Sequence, residues 1–374
     1  MIRQDSGFGR RFFRQFDVLL FFIVITAAIF GIVMIYSATH NYDNHMQFVV
    51  IQSAAFVLGL LLICVMTLID YETLGDAYVI LMAFNILALV LTLLLGQGEE
   101  EVGGKSWIRF GPIGLQPSEL VKIGFIITFA KHLEMVEDDL NSARNLLMLT
   151  LHLGVLVGLI LKQPDAGTAM MFMGIFIGML FIAGLRTRFF VSAIAALMVL
   201  MPAAWFFVLK NYQKDRIMVF LKPETDPLGA GYQVLQSKVA IGSGQLSGVG
   251  YLKGILTQLG FLPAKHTDFI FAAISEELGF AGSAFVVVLL FALIGRCIYI
   301  AMTAKDKLGT YICVGVASMY FIQTLENVGM CIGLTPVTGV TLPFMSYGGS
   351  SLLTNMLAVG LVMNVSMRRK TLSF

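Results

Sequence analysis

MIRQDSGFGRRFFRQFDVLLFFIVITAAIFGIVMIYS, residues 1–37, sets Arg3, Arg10, Arg11 and Arg14 ahead of an apolar run that continues to Ser37. A cleaved export signal begins in the same way. This run has no clear small-residue cleavage site and is long enough to span a bilayer, so it reads as a retained first helix. Working outward, nine more apolar segments follow, near 47–69, 75–96, 117–134, 146–162, 167–185, 188–209, 271–302, 309–332 and 349–367. The composition agrees. The 374 residues are 57% hydrophobic and 13% charged, and mean hydropathy is +0.84, whereas soluble domains run near a quarter charged. The expected fold is all-α: one integral membrane domain over 1–374, with about ten transmembrane helices and a large extracytoplasmic loop, 210–270, between helices 7 and 8.

Basic residues set the orientation. The four N-terminal arginines, Lys131, Arg144, Arg186, Arg188, Arg296, Lys305, Lys307, Arg368, Arg369 and Lys370 fall on one side of this arrangement. Loops 39–46 and 333–348 on the other side hold no Lys or Arg. The positive-inside rule makes both termini cytoplasmic. The 210–270 loop lies outside despite its basic residues, and long loops are exempt from the rule. Within it, YQVLQSKVAI has the apolar spacing of a short amphipathic helix through Tyr232, Leu235, Val239 and Ala240. Gly242, Gly244, Gly248 and Gly250 then suggest a flexible or turn-rich segment. Cys64, Cys297, Cys313 and Cys331 sit in or beside apolar runs without CxxC spacing, and read as small core residues.

Four polar constellations interrupt this apolar chain. In GGKSWIRFGPIGLQPSELVKI, 103–123, Pro117 marks a helix start, with Glu119 in the first turn and Lys122 within reach of it. Trp107 suits an interfacial anchor, and with Lys105 and Arg109 beside it also suits a phosphate under an aromatic ring. In KQPDAGTA, 162–169, Asp165 is either a helix cap or a charged site group. In AKHTDFIFAAISEELGF, 264–280, Asp268 is either an N-cap or a base at the aqueous edge beside Lys265 and His266. Glu276 and Glu277 lie deeper, and a buried ion pair with another helix is the expected arrangement. The uncharged GLTPVTGVTLPFMSYGGSSLLTN, 333–355, contains Pro336, Pro343, Gly348 and Gly349, which forbid a regular helix. Such backbone is tolerated at membrane depth only under protein or water, so this loop enters the protein, with Glu326 as the intramembrane acid facing it. There is no Walker A motif, no GxGxxG in a βαβ setting and no HExxH; nothing signals a bound metal or nucleic acid.

These features leave two classes open: a membrane enzyme acting on a lipid-linked substrate at the outer face, or a transporter or flippase. Transporters place broken helices and ionisable groups near the midplane, often in paired halves. Here the ionisable groups gather at the outer edge with the one large loop, and no internal repeat is evident, which favours the enzyme.

KSWIRFGPIGLQPSELVKI, QPDAGTA, YQVLQSKVAIGSG, FLPAKHTDFIFAAISEELGF and LPFMSYGGSS occur in an order that resembles the SEDS family (shape, elongation, division and sporulation) of membrane glycosyltransferases. LTQLGFLPAKHTDF, ENVGMCIGLTPVTG and SSLLTNMLAVGL resemble its elongation (RodA) branch more than its division (FtsW) branch. The resemblance implies a ten-helix peptidoglycan polymerase of the bacterial cytoplasmic membrane that joins lipid II units and releases undecaprenyl diphosphate. It also implies a class B penicillin-binding protein (the cross-linking transpeptidase) and the elongation machinery as partners. A lipid II flippase and a division or sporulation paralogue are the alternatives. The family's essential Asp falls on Asp268. Trp107, Glu119, Lys122 and Ser346 lie in motifs the family relies on, and Lys105, Arg109, Lys265 and His266 are the further substrate-binding candidates. A carboxylate at Asp268 could deprotonate the acceptor 4-hydroxyl, while Lys105, Arg109, Lys122 and Lys265 are the cations for a departing diphosphate. No cofactor is certain; a divalent Mg or Mn ion bridging Asp268 to diphosphate is the alternative role. Ser106 replaces an expected basic residue, and Ala166 a larger apolar one.

Overall fold

The structure, a computed structural model, describes residues 16–97, 106–110, 113–207 and 211–369. Within these, each predicted apolar segment is a helix: α1 (Val18–Thr39), α2 (His45–Leu68), α3 (Tyr78–Leu95), α4 (Pro117–Met135), α5 (Ala143–Lys162), α6 (Ala166–Ile182), α7 (Thr187–Phe207), α8 (Ile270–Met302), α9 (Lys307–Ile332) and α10 (Gly349–Met367). Eight of them are long and apolar enough to cross a membrane. The other two are α4, which carries Glu119, Lys122, Lys131 and Glu134, and the 17-residue α6. The only strands among the described residues, β1 (Ile108–Phe110) and β2 (Ile113–Leu115), form an antiparallel hairpin with Arg109 opposite Gly114.

Local chemistry fixes the helix starts. Pro117 opens α4, where a missing N–H removes no helical bond. Asp165 caps α6 by accepting from the Thr168 N–H at 2.9 Å, and its other oxygen accepts from the Thr168 hydroxyl at 2.8 Å. Of the two readings for Asp165, the cap is therefore present. At the bundle centre, α9 packs on α8, α6 and α4, and α10 lies along α2, buried over nearly all its length. α7 stands at the periphery, with no buried residue in its most apolar stretch.

The two ends of the bundle differ. At the end where basic residues gather, cations meet acids: Arg296 chelates the buried Asp17 through bonds of 2.7–3.1 Å, and Lys305 pairs with Glu72, Lys307 with Glu137, and Lys131 with Asp76 and Glu134. The opposite end gathers the turn after α1, the β-hairpin, the long loop and the uncharged loop between α9 and α10.

α8 has 33 residues, about 50 Å at 1.5 Å per residue, and it is broken at Gly279 (φ 65°, ψ −160°). This is a region of backbone space nearly confined to glycine. The break releases backbone groups, and the long loop captures them. The Glu276 and Glu277 carbonyls accept from the Val249 and Gly250 N–H groups at 3.0 Å each, while the Phe280 and Ala281 N–H groups donate to the Gln245 and Leu246 carbonyls at 2.8 and 3.2 Å. Gly248 lies so close that a Cβ there would stand 2.1 Å from the Glu277 carbonyl oxygen. The glycine-rich segment is turn-rich, as one of the two expectations had it, and these turns fit into the helix break. The expected amphipathic helix is also present, as Ala230–Ser243. Its buried residues are Gly231, Val234, Ser237 and Ala240; of the predicted set Ala240 is buried, Tyr232 and Leu235 are half-buried and Val239 is exposed. Ser237 turns inward because its hydroxyl donates to the Cys331 carbonyl on α9 at 2.8 Å.

Candidate functional site

Asp268 occupies a tight turn ahead of α8. The Thr267 and Phe269 N–H groups both donate to the Ala264 carbonyl at 3.1 Å, and Ala264 has φ +46°. Three successive carbonyls of this turn are held from outside. The His266 carbonyl accepts from the Tyr347 N–H at 2.8 Å, that of Thr267 from the Ser346 hydroxyl at 2.6 Å, and that of Asp268 from the Asn327 amide at 2.8 Å. Its backbone is therefore fixed by α9 and the uncharged loop. That loop enters the protein as expected, with Val340, Leu342, Phe344, Met345 and Ser346 buried.

The Asp268 carboxylate has neither an ion pair nor a hydrogen bond among the described residues. The N-cap alternative does not hold, because α8 starts at Ile270 after Phe269. One carboxylate oxygen lies beside Gly339, where an added Cβ would be 3.6 Å away. Burial raises the carboxyl pKa to about 6, with no cation close enough to lower it.

The neighbouring candidates divide. His266 packs among Tyr42, Phe48 and Tyr347, with ring centroids at 5.8, 5.1 and 5.7 Å. Burial and the Lys265 charge push its pKa down to about 4, so it is neutral near pH 7. Lys265 is not at the wet edge that the sequence suggests. It is 1% exposed, donates to the Thr257 carbonyl at 2.5 Å, and lies over the Tyr42 ring at 4.8 Å. Burial lowers its pKa, and Glu277 and Glu276 act in the opposite sense. Ser346 uses its hydroxyl in both directions, donating to Thr267 and accepting from the Leu342 N–H at 2.8 Å.

Glu276 and Glu277 do not form the expected ion pairs with another helix. Glu276 accepts from the Leu256 N–H at 2.7 Å, the Thr257 N–H at 2.9 Å and the Thr257 hydroxyl at 2.6 Å. Glu277 accepts from the Ser37 hydroxyl at 2.7 and 2.5 Å and the Gln258 amide at 2.9 Å. N–H and hydroxyl donors satisfy a carboxylate without the desolvation of a second charged group, which is why no cation is needed here.

A second polar group lies between α4, α6 and α9. Lys122 is fully buried and donates to Glu119 at 2.7 Å. Glu326 is 3% exposed, neither of its carboxyl oxygens has a hydrogen-bond partner, and it lies in the field of Lys122 and Asp165. The uncharged loop separates this group from Asp268: Thr338 packs on Gly167 beside Asp165, while Gly339 faces Asp268. Trp107 and Arg109 stand apart on the hairpin, which the Ser350 hydroxyl joins to the start of α10 through the Gly114 carbonyl at 2.9 Å. Trp107 is 38% exposed. Lys105 lies outside the described residues.

Sequence reading missed Asn327 and Gln52 as site builders. Gln52 donates to the Ser346 carbonyl at 3.2 Å and accepts from the Gly348 N–H at 3.1 Å. Both are amides inside apolar spans, and that position was the available signal. No group of three or more His, Cys, Asp or Glu among the described residues is placed to hold a metal ion. Asp268 is the one carboxylate at this turn, and the neighbouring carbonyls are engaged.

Comparison with known proteins fits this architecture. The FtsW/RodA/SpoVE family profile, described as "Cell cycle protein", matches residues 17–371. The probable peptidoglycan glycosyltransferase FtsW of Trichlorobacter lovleyi is 38% identical over 359 residues, covering 94% of this chain and 93% of that protein. Stage V sporulation protein E of Bacillus subtilis is 38% identical over 356 residues, covering 94% and 96%. The peptidoglycan glycosyltransferase MrdB of Escherichia coli K12 is 36% identical over 364 residues, covering 96% and 95%. Among solved structures, a chain of a peptidoglycan synthase complex that coordinates polymerization and crosslinking superposes with a TM-score of 0.82 at 31% identity, covering 95% of this chain and 98% of that one. The Thermus thermophilus rod shape determining protein RodA gives a TM-score of 0.70 at 28% identity, covering 95% and 98%. With a family match across nearly its whole length and relatives above 30% identity throughout, the chain belongs to the FtsW/RodA/SpoVE (SEDS) family.

Proposed function

We propose that this chain, a multi-pass membrane peptidoglycan glycosyltransferase by its family, polymerises lipid II at the outer face of the cytoplasmic membrane during cell elongation, with Asp268 as general base. The observation that carries this reading is the state of Asp268: a carboxylate without a partner among the described residues, on a turn whose three carbonyls are all held. A base near pKa 6 is ionised at neutral pH and remains basic enough to accept a hydroxyl proton. In this mechanism the acceptor sugar's 4-hydroxyl loses its proton to Asp268 as its oxygen bonds to the donor's anomeric carbon. The bond to the lipid diphosphate breaks, and undecaprenyl diphosphate leaves with the electron pair.

The candidate cations sit in different surroundings. Lys122 is engaged by Glu119, and Lys265 by the Thr257 carbonyl. Arg109, exposed on the hairpin, and Lys105, close to it in sequence, are the proposed cations for the diphosphate, and Trp107 beside them supplies an aromatic face. A divalent Mg or Mn ion would find one protein carboxylate at Asp268 and would supply positive charge to the departing diphosphate. The lightly packed α7 supports entry of the lipid chains from the bilayer on that side. The ion-paired, basic end faces the cytoplasm with both termini, and a class B penicillin-binding protein is the proposed partner.

The test uses the full chain purified with its partner and fed labelled lipid II. Asp268→Ala should yield no glycan on a gel while the complex still assembles. Normal product length and yield from Asp268→Ala overturns the assignment. Passage of lipid II across liposome membranes without polymer from the unaltered chain would instead favour the flippase reading.

A further inference from the structure

Asn327 lies on α9 within an apolar span and is fully buried. Its side-chain amide has two N–H groups, and they go to two different segments. One reaches the Asp268 carbonyl at 2.8 Å, the other the Val340 carbonyl at 2.7 Å. Its own carbonyl oxygen has no hydrogen-bond partner. One turn further along the same face of α9, the Cys331 thiol lies 3.8 Å from the same Asp268 carbonyl.

This arrangement does more than satisfy the two N–H groups of an amide inside a membrane span. The two acceptors belong to the two walls around the Asp268 carboxylate: the turn that carries it, and the Thr338–Val340 stretch whose Gly339 lies against one of its oxygens. The remaining ties to this turn, from Ser346 and Tyr347, hold Thr267 and His266 and come from further along the uncharged loop. Among the described residues, Asn327 alone hydrogen-bonds both Asp268 and the wall facing it. An amide has a fixed planar fork, so the spacing of its two N–H groups sets the spacing of the two carbonyls.

We propose that Asn327 is a positioning residue for glycosyl transfer, acting through Asp268 by fixing the gap between the Asp268 turn and the Gly339 wall. Asn327 does not touch the reacting atoms. It determines where the carboxylate points when the acceptor hydroxyl arrives, so its loss should slow turnover more than it weakens substrate binding. The inference rests on the assignment of Asp268 as general base.

The experiment measures lipid II polymerisation by the full chain with its partner for Asn327→Leu, which removes both donors, and Asn327→Ser, which retains one. Asp268→Asn is run alongside, together with melting temperature and partner co-purification. The expected result for Asn327→Leu is a fall in kcat of about 10- to 100-fold, the scale of a misplacement near 1 Å, with KM within about twofold. Asn327→Ser should fall between it and the unaltered chain; because Asn327→Leu leaves two buried carbonyls without their donor it should also melt lower, so kcat is referred to the folded fraction. Unchanged kcat in Asn327→Leu overturns the proposal, as does a loss confined to KM. A loss of activity that merely follows the folded fraction in both variants also overturns it, by making the role structural. If Asp268→Asn remains active, the Asp268 assignment itself fails. If Asp268→Asn is inactive and Asn327→Leu is normal, only the Asn327 proposal fails.

Discussion

Asp268 and the pair Glu276 and Glu277 lie within ten residues of one another, yet their carboxylates occupy opposite states. Glu276 and Glu277 are less than 2% exposed, and hydrogen-bond donors from the long loop and α1 surround them. Asp268 has its backbone held at three points and its carboxylate bonded to nothing among the described residues. A satisfied buried carboxylate is a fastener, because its free energy depends on donors already present. An unsatisfied one on a rigid turn is poised for a guest. The difference teaches that burial alone does not mark chemistry in this protein; the absence of internal donors beside a fixed backbone does.

The largest effect should come from Asp268→Asn. Polymerisation should fall by about 10²–10⁴, the range of general-base assistance, while the melting temperature is unchanged or raised. The sign of the stability term follows from linkage. The carboxyl pKa rises from 3.8 to about 6 on folding, so between those values the folded state holds the proton more tightly. Stability contributed by this group is therefore lost as pH rises through that window, and a neutral amide removes the penalty above it. A large drop in melting temperature at pH 7.5 would place Asp268 among the fasteners and break the contrast.

Glu276→Ala should act in the other currency. It strips the Leu256 N–H, the Thr257 N–H and the Thr257 hydroxyl of their shared acceptor. Each orphaned buried donor costs about 1–3 kcal/mol, so the variant should accumulate poorly or melt many degrees lower. Its residual activity should follow the folded fraction. Thermal melting in detergent beside single-turnover polymerisation separates the cases, and a stable but inactive Glu276→Ala would erase the distinction between the two kinds of acid.

How much of this was legible depends on the range of the interaction. The ten helices were readable because an apolar run announces its own burial, and Pro117 and Asp165 announce helix starts within three residues. The partners of Glu277 were not readable, since Ser37 lies 240 residues away. Lys265 looked like an edge cation because three polar neighbours surround it in sequence. The fold turns it instead toward Thr257 and the Tyr42 ring. The break at Gly279 was hidden because EELGF continues an apolar segment, and only the fitted loop supplies the hydrogen bonds that let the helix part there. For Asp268, periodicity left cap and base equally open. Family resemblance favoured the base, and the helix start at Ile270 removed the cap.

The pH dependence of the rate sharpens the contrast more gently. If Asp268 must be ionised, kcat/KM should decline below about pH 6, approaching tenfold per pH unit on the acid side. Ser37→Ala, which removes one donor from Glu277, should leave that inflection in place while lowering stability by about 1 kcal/mol. His266, neutral with a pKa near 4, should add no inflection between pH 6 and 8. Rate–pH profiles of the unaltered chain and Ser37→Ala check all three, and an inflection that moves with Ser37 would tie the titration to Glu277 instead.

The smallest effect is expected at Glu326, which resembles Asp268 in lacking internal partners but lies on the far side of the Thr338–Val340 wall. With no hydrogen-bond donor to either carboxyl oxygen, Glu326→Gln breaks no hydrogen bond, although it gives up the attraction of the Lys122 charge. The new amide would bring donors into a region where Glu119 has an oxygen without a partner. Melting should therefore shift by no more than a few degrees. Glu119→Gln should differ sharply, because it withdraws the carboxylate from the fully buried Lys122. Leaving a buried charge without its partner costs about 3–5 kcal/mol. Comparable destabilisation by the two substitutions would show that Glu326 belongs to the same network as Glu119 and Lys122, and that Asp268 is the one acid in this stretch of the protein held without donors for its carboxylate.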